Sequence, residues 1–195
     1  MSVSDWKERE KGQRCNDILD AAMKLFYAKG YDDVSMSDIA AQVGIKKPTL
    51  YLYFRNKEAL FFAVVARGER IRNAMAREEA GKCRTGKEKF GAATRVLAES
   101  NGKYPEYTWA GFFLRSGRFD LEHPENNPDI KTILELQGEF FDILVDGLRS
   151  GMTDGAYLAD VDPLSMAVLL AVIAESASDL RPDYRYVIER GGVGN

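Results

Sequence analysis

The side chains best suited to bind a charged partner lie between positions 39 and 57. This stretch holds Lys46, Lys47, Arg55 and Lys57 and contains no Asp or Glu. The whole chain is acidic, with a formal net charge of −3 over 195 residues. Cations concentrated in an acidic protein favour a contact with phosphate groups through a local patch rather than through bulk charge. A solvated helix face would carry the same charges, so charge alone leaves both interpretations open.

Glycines and a capping pattern predict the first helices that must position these cations. Apolar residues at helical spacing predict a helix over 13–29, which Gly30 ends. Ser35, followed three residues later by Asp38, has the pattern of a capping box. A short helix is expected after this box, and Gly44 ends it.

A second short helix follows directly. Pro48 lies in its first turn, where a missing N–H costs little, and the helix is expected to run through Tyr53 or Phe54. Asn56 then caps a longer helix that reaches about Glu79. Two short helices separated by a glycine turn and preceded by a third form a helix-turn-helix.

The predicted reading helix, about residues 47–54, has an inner and an outer side. Successive residues of a helix are about 100° apart, and the side chains therefore divide into three groups. Those groups are an inner pair, Leu50 and Phe54, an outer pair, Pro48 and Leu52, and two flanking tyrosines, Tyr51 and Tyr53. This layout suits a helix in a DNA major groove, with hydroxyls toward the phosphates on either wall. Packing of the two tyrosines into a small core is the alternative.

Residues 18–60, ILDAAMKLFYAKGYDDVSMSDIAAQVGIKKPTLYLYFRNKEAL, resemble the DNA-binding head of the TetR family of bacterial transcriptional regulators. The resemblance implies that Lys46, Lys47, Pro48 and Thr49 meet bases and nearby backbone, and that Tyr51, Tyr53 and Lys57 bind phosphates. The full set of expected DNA contacts is Ser35, Ser37, Lys46, Lys47, Pro48, Thr49, Tyr51, Leu52, Tyr53 and Lys57.

Leu52 departs from the family pattern, in which an aromatic or polar residue often fills this position. A leucine side chain has no hydrogen-bond donor or acceptor. The hypothesis is therefore an apolar contact with a thymine methyl group, or no base contact at all.

The predicted fold class is all-α, with an N-terminal three-helix helix-turn-helix head over residues 1–57 and a larger helical ligand-binding and dimerisation bundle over 58–195. Residues 80–86, AGKCRTG, form the clearest break within the bundle. Further helices are expected near 87–100, 106–118, 129–150 and 163–180.

The last predicted helix is apolar on nearly every face from Met166 to Ala174, so it must be covered on all sides. A second copy of the chain would cover one side, as the family resemblance also implies, and burial within one monomer is the alternative. The expected interface residues are Phe141, Leu144, Leu148, Met166, Leu169, Leu170 and Ile173.

Aromatic residues are densest between positions 104 and 119. They are expected either to line a pocket for a partly apolar small-molecule effector, with an arginine for an anionic group, or to pack as core. The candidate ligand contacts are Tyr104, Tyr107, Trp109, Phe112, Phe113 and Arg115.

Signals for other classes of protein are weak. His123 is the single histidine and lies in a polar loop, so neither a metal site nor a catalytic triad is expected, and no cofactor. Cys15 and Cys83 match no ligand spacing and suggest a reduced, cytoplasmic setting. No secretion signal or membrane anchor is expected. The tail from Arg190 resembles a phosphate loop only superficially and is interpreted as a frayed terminus.

The sequence therefore predicts a dimeric, ligand-responsive transcriptional regulator, a repressor that an effector releases from a palindromic operator. One alternative is a DNA-organising or DNA-tethered interaction protein of the same fold without a small effector. An enzyme or carrier in the bundle is the other, and it would need an isolated acid–base pair or cofactor site that the sequence does not offer.

Overall fold

The computed structural model of this protein describes residues 3–157 and 160–178. Over this range the chain forms eight α-helices, one short 3₁₀ turn and no strand, in agreement with the predicted all-α fold. The helices are α1 (Val3–Lys29), α2 (Met36–Val43), α3 (Lys47–Tyr51), α4 (Lys57–Gly81), α5 (Gly86–Lys103), α6 (Pro105–Leu114), α7 (Pro128–Thr153) and α8 (Pro163–Ser178). The tail from Arg190, for which the sequence predicts a frayed terminus, lies outside the described residues.

The predicted glycine ends of α1 and α2 and the predicted caps of α2 and α4 are confirmed. Gly30 and Gly44 both have positive φ, +84° and +76°, which a residue with a side chain rarely adopts. The Ser35 hydroxyl accepts a hydrogen bond of 3.2 Å from the Asp38 N–H, and the Asp38 carboxylate accepts one of 2.8 Å from the Ser35 N–H. Asn56 caps α4, since its side-chain oxygen accepts a bond from the N–H three residues later.

Three helix boundaries differ from the prediction. Helix α1 begins at Val3 rather than near position 13, because residues 5–13 are all exposed and leave no apolar periodicity to detect. Helix α3 ends at Tyr51, and the chain continues in tight turns. One of these turns is closed by a 3.0 Å hydrogen bond from the Tyr53 N–H to the Leu50 carbonyl. Helix α6 ends at Leu114, ahead of a turn in which Gly117 has φ of +86°.

One compact unit comprises the chain up to Ile71 together with Tyr104–Gln137. It holds α1, α2, α3, α6 and the adjoining parts of α4 and α7. Its core is rich in aromatic rings that contact one another, mostly edge to face or tilted, with one stacked pair. The rings belong to Phe26, Tyr31, Phe61, Phe62, Phe113 and Phe119.

The second compact unit comprises Arg72–Lys103 and the chain from Gly138 onward. Its buried core includes Val96 and Leu97 of α5 and Phe140, Leu144 and Leu148 of α7. The sequence predicts a functional boundary after residue 57, between a DNA-binding head and a bundle. The two compact units are divided elsewhere, after Ile71, and the functional boundary stays a prediction. Within the described ranges, no helix has the length and hydropathy needed to cross a membrane.

Candidate nucleic-acid interface

Helix α3 is anchored on one side and exposed on the other. Leu50 is completely buried, whereas Leu52 is 82% exposed. Pro48 is also exposed, and Phe54 packs partly buried against the core of the first unit. The inner and outer sides predicted for this helix are therefore confirmed. Its outer side is accessible to a partner.

The cations near α3 divide into two kinds. Arg55 is paired, with its guanidinium Nη2 2.6 Å from a carboxylate oxygen of Asp129. Lys46 and Lys47, at the start of α3, are exposed and form no ion pair with another described residue. The positive charge offered by this helix therefore comes from these two lysines, with Thr49 half-buried beside them.

The two flanking tyrosines are not equivalent. Tyr51 is 45% exposed, at the edge of the outer side. Tyr53 is half-buried and packs against the core of the first unit, as in the alternative considered for it. A hydroxyl-to-phosphate contact is thus more accessible to Tyr51 than to Tyr53.

The start of α2 brings two serines to the surface. The Ser35 hydroxyl is part of the capping box and donates a 2.6 Å hydrogen bond to the Asp38 carboxylate. This bond from the Ser35 side chain and a second from its N–H hold the pKa of the Asp38 carboxyl below its ordinary value. Ser37 is exposed in the first turn of the helix. Contacts of either serine with DNA stay a prediction.

Lys57 has a role that residue type and spacing did not reveal. Its ammonium donates a hydrogen bond of 2.9 Å to the Tyr31 carbonyl and a longer one of 3.4 Å to the Asp32 carbonyl. It also lies 4.3 Å from the centre of the Tyr31 ring, a cation–π distance. Lys57 therefore holds the turn between α1 and α2 against the start of α4. Whether it also binds a phosphate stays a prediction.

A second cation holds the same turn. Arg118, after α6, donates a 3.0 Å hydrogen bond to the Asp32 carboxylate, and its guanidinium lies 5.1 Å from the Tyr31 ring centre. Phe113 of α6 packs on Tyr31 with 5.2 Å between ring centres. The turn that precedes α2 is thus fixed by the start of α4 and by the segment after α6, both within the first unit.

The aromatic residues proposed as ligand contacts pack mainly on the first core. Trp109 stacks on Phe113 at 5.5 Å between ring centres, and both pack partly buried against that core. Tyr107 lies against Gly68 and lines a cleft of about 260 Å³ with Arg67 among its other walls. The remaining candidates are paired locally, Phe112 with the Arg115 guanidinium and Tyr104 with Tyr107. This packing resembles the core alternative, and ligand contacts here stay a prediction.

The expected dimer residues fall into two groups. Leu144 and Leu148 are buried in the core of the second unit, so their own chain already covers them. Leu169 and Ile173 of α8 are 55% and 54% exposed, and Phe141, Met166 and Leu170 are half-buried. Three neighbours that the sequence analysis did not select are exposed on the same helix. With Leu169 and Ile173, these three neighbours form a surface that we name the α8 apolar face: Leu164, Val168, Leu169, Val172 and Ile173.

The glycine turn between α2 and α3, the buried anchor Leu50 and the exposed lysines define a helix-turn-helix, a class of domain whose second helix enters the DNA major groove. Residues 18–64 match the sequence model described as bacterial regulatory proteins, tetR family. This N-terminal part of the chain is therefore similar to the TetR family of bacterial regulatory proteins.

A curated relative matches the same part of the chain. The chain is 53% identical over 49 residues to the HTH-type transcriptional repressor ComR of Escherichia coli (strain K12), a match that spans 25% of this chain and 23% of ComR. The chain thus covers about a quarter of the length of such curated relatives, in the head alone.

Likeness over the whole chain is one of fold. A tetR-family regulatory protein from Rhodococcus RHA1 aligns with a TM-score of 0.70 and 18% identity over 91% of this chain and 92% of that one. The regulator FadR from Bacillus subtilis, in complex with stearoyl-CoA, aligns with a TM-score of 0.71 and 20% identity over 90% and 88%.

Proposed function

We propose that the protein is a homodimeric transcriptional repressor that binds a palindromic operator and leaves it when a small-molecule effector binds. The observation that carries the proposal is the outer side of α3, where Lys46, Lys47, Pro48 and Leu52 are exposed above the buried Leu50. In this proposal residues 1–57 form the DNA-binding head and the rest of the chain the regulatory bundle.

The proposed DNA contacts follow from side-chain chemistry and exposure. Lys46 and Lys47 bind phosphates or guanine edges, because their ammonium groups have no acidic partner among the described residues. Tyr51 and Ser37 offer exposed hydroxyls to the backbone on the groove walls. Leu52 offers only methyl groups and suits a thymine.

Support for the homodimer comes from the α8 apolar face. Five large apolar side chains on one helix are each about half exposed in the single chain. A two-fold axis beside this face would bury it against the same face of a second copy. Two α3 helices would then read two half-sites about 34–36 Å apart, or a multiple of that spacing, and the operator would be palindromic.

Support for an effector comes from relatives and from the packing of the head. FadR of Bacillus subtilis was solved with stearoyl-CoA, and ComR is named a repressor. In this chain, Arg118, which follows α6, holds the turn before α2. A shift of α6 would therefore change the position of α2 and α3. Coupling of this kind is reciprocal, and operator DNA would weaken effector binding by the same factor. A regulator of chromosomal promoters would act in the cytoplasm.

Selection of the purified full chain against random duplex DNA at one near-physiological salt concentration tests the proposal, since DNA affinities depend on salt. We expect an enriched palindrome. A matched variant, Lys46→Gln with Lys47→Gln, is expected to lose the enrichment while it keeps its helix content. Equal enrichment by this variant would contradict the proposed reading helix, and enrichment of an unsymmetrical site would contradict the proposed two-fold dimer.

The same experiment separates the proposed repressor from a DNA-organising or tethered interaction protein. Such a protein would retain many unrelated fragments through salt-sensitive contacts and would enrich no motif. That outcome would overturn the operator-reading function.

A further inference from the structure

The second unit contains an apolar cavity that the proposed function has not used. Its volume is about 390 Å³, within the range of small-molecule sites. It lies between the start of α5, the end of α7, the turn after α7 and the start of α8. The principal walls are Phe90, Leu148, Met152, Tyr157, Met166 and Leu170.

Glycines bring the backbones around this cavity close together. A Cβ atom added at Gly147 of α7 would lie 2.8 Å from the backbone nitrogen of Phe90 on α5. One added at Gly151 would collide with the Tyr157 ring. Phe90 and Tyr157 themselves meet edge to face, with 5.9 Å between ring centres. The two aromatic walls are therefore held in place by backbone contacts.

Hydrogen bonds hold the turn that closes one side. The N–H groups of Ala156 and Tyr157 donate to the Gly151 carbonyl at 2.8 and 3.2 Å. The Asp154 carboxylate accepts a 3.1 Å bond from the Gly86 N–H, which ties the turn to the start of α5. A ligand would thus meet a wall that is already formed, and binding would not have to order it.

The chemistry of the lining is uniform. Among the described residues of the lining, no side chain carries a formal charge, and the Tyr157 hydroxyl is the one strong hydrogen-bonding group. An ionised ligand group in such surroundings would lose its hydration without a partner, which is costly. A neutral apolar molecule would gain from burial of its surface.

We propose that this cavity binds an uncharged, largely apolar small molecule with at most one or two polar groups. The role of this molecule as the effector of a repressor rests on the proposed function, whereas its binding in the cavity does not. The site is distinct from the aromatic residues of α6 expected from the sequence, which lie in the first unit.

Two related fluorescent probes test the proposal on the full-length protein. N-phenyl-1-naphthylamine is neutral, and 1-anilinonaphthalene-8-sulfonate is the same ring system with a sulfonate. We expect saturable binding of the neutral probe, tighter than that of the sulfonate by about tenfold or more, because the described part of the lining offers no cation.

Variants that fill the cavity locate the bound probe. Ala156 and Val161 both line the cavity, and Ala156→Phe or Val161→Phe should weaken binding of the neutral probe by about tenfold or more. Ala98→Phe is the matched control, since Ala98 is exposed on α5 outside the cavity. Circular dichroism checks that all three variants keep the helix content of the parent.

The outcomes separate cleanly. Loss of the neutral probe from a filled variant but not from the control supports the site. The proposal is overturned if the parent shows no saturable binding, if both filled variants bind like the parent, or if the sulfonate binds as tightly as the neutral probe. Operator binding by the same preparations is read independently, so a chain that binds DNA but no probe rejects the cavity alone, and one that binds the probe but no operator rejects the repressor alone.

Discussion

The ammonium of Lys57 lies 2.9 Å from the carbonyl oxygen of Tyr31 and 4.3 Å from the centre of its ring. This contact joins the first residue of α4 to the turn that precedes α2. Since α2 follows this turn and packs against α3, Lys57 is a positioning residue of the head.

Replacement of Lys57 by Met should destabilise the protein. Methionine keeps an unbranched chain but removes all three N–H donors and the charge above the ring. The expected loss is roughly 1–2 kcal/mol of unfolding free energy, from one hydrogen bond and one cation–π contact. Thermal unfolding followed by circular dichroism measures it.

Lys7→Met is the matched control for this change. Lys7 is exposed near the start of α1 and has no partner among the described residues, so its replacement should leave the unfolding curve unchanged. If Lys57→Met and Lys7→Met unfold alike, the contact with Tyr31 has no part in stability.

Lys47 should contribute to DNA affinity without contributing to stability. Each phosphate that a protein neutralises adds about 0.9 to the steepness of log affinity against log salt, so Lys47→Gln should flatten this slope by about 0.9 per subunit. Filter binding or fluorescence anisotropy on the selected operator at several salt concentrations gives the slope. Lys87→Gln, at an exposed lysine of α5, should leave it unchanged. An unaltered slope for Lys47→Gln would show that this lysine does not touch a phosphate.

Leu52 should determine the base preference at one symmetric pair of operator positions. It is the most exposed large apolar residue of the head, and Leu52→Ala removes its terminal methyl groups without disturbing the core. We expect the preference for thymine to fall by roughly 1 kcal/mol at that pair, the value of about one buried methylene. Repeating the selection with the variant measures the change. An identical motif would mean that Leu52 makes no base contact.

A charge on the α8 apolar face should separate the subunits. Leu169→Glu would place a carboxylate in the proposed interface without a partner, so sedimentation should show a monomer at concentrations where the parent is a dimer. Operator affinity should fall with it, because a single head reads one half-site. Ala98→Glu, on the exposed side of α5, is the control and should remain dimeric. A dimeric Leu169→Glu would place the interface elsewhere.

The parts of the head that depend on neighbours in sequence could be predicted. The capping box of Ser35 and Asp38, the glycine ends at Gly30 and Gly44 and the two sides of α3 are all decided within a few residues. The conformation of these segments therefore follows from residue type and spacing. The start of α1 could not be predicted, because the residues of its first turns are exposed and show no apolar periodicity.

Contacts between distant segments could not be predicted. Lys57 has the type and position of a phosphate-binding residue, yet its ammonium turns to a carbonyl 26 residues earlier. Arg55 belongs to the same run of cations in the sequence, but its partner Asp129 lies 74 residues away. Leu148 has the pattern of an interface residue but is buried under its own chain. A single sequence without covariation does not say which distant residues meet.

The glycines of α7 divide the second unit into parts that can change and parts that cannot. A methyl group at Gly147 would displace the backbone of α5, and one at Gly151 would displace the Tyr157 ring. Substitution of either glycine is therefore expected to be disfavoured. The side chains of Met152, Val161 and Met166 border the cavity, so a substitution at any of them changes its volume. A lineage could therefore change the size of the cavity, and with it the ligand proposed to bind there, through one or two substitutions while the helical frame stays intact.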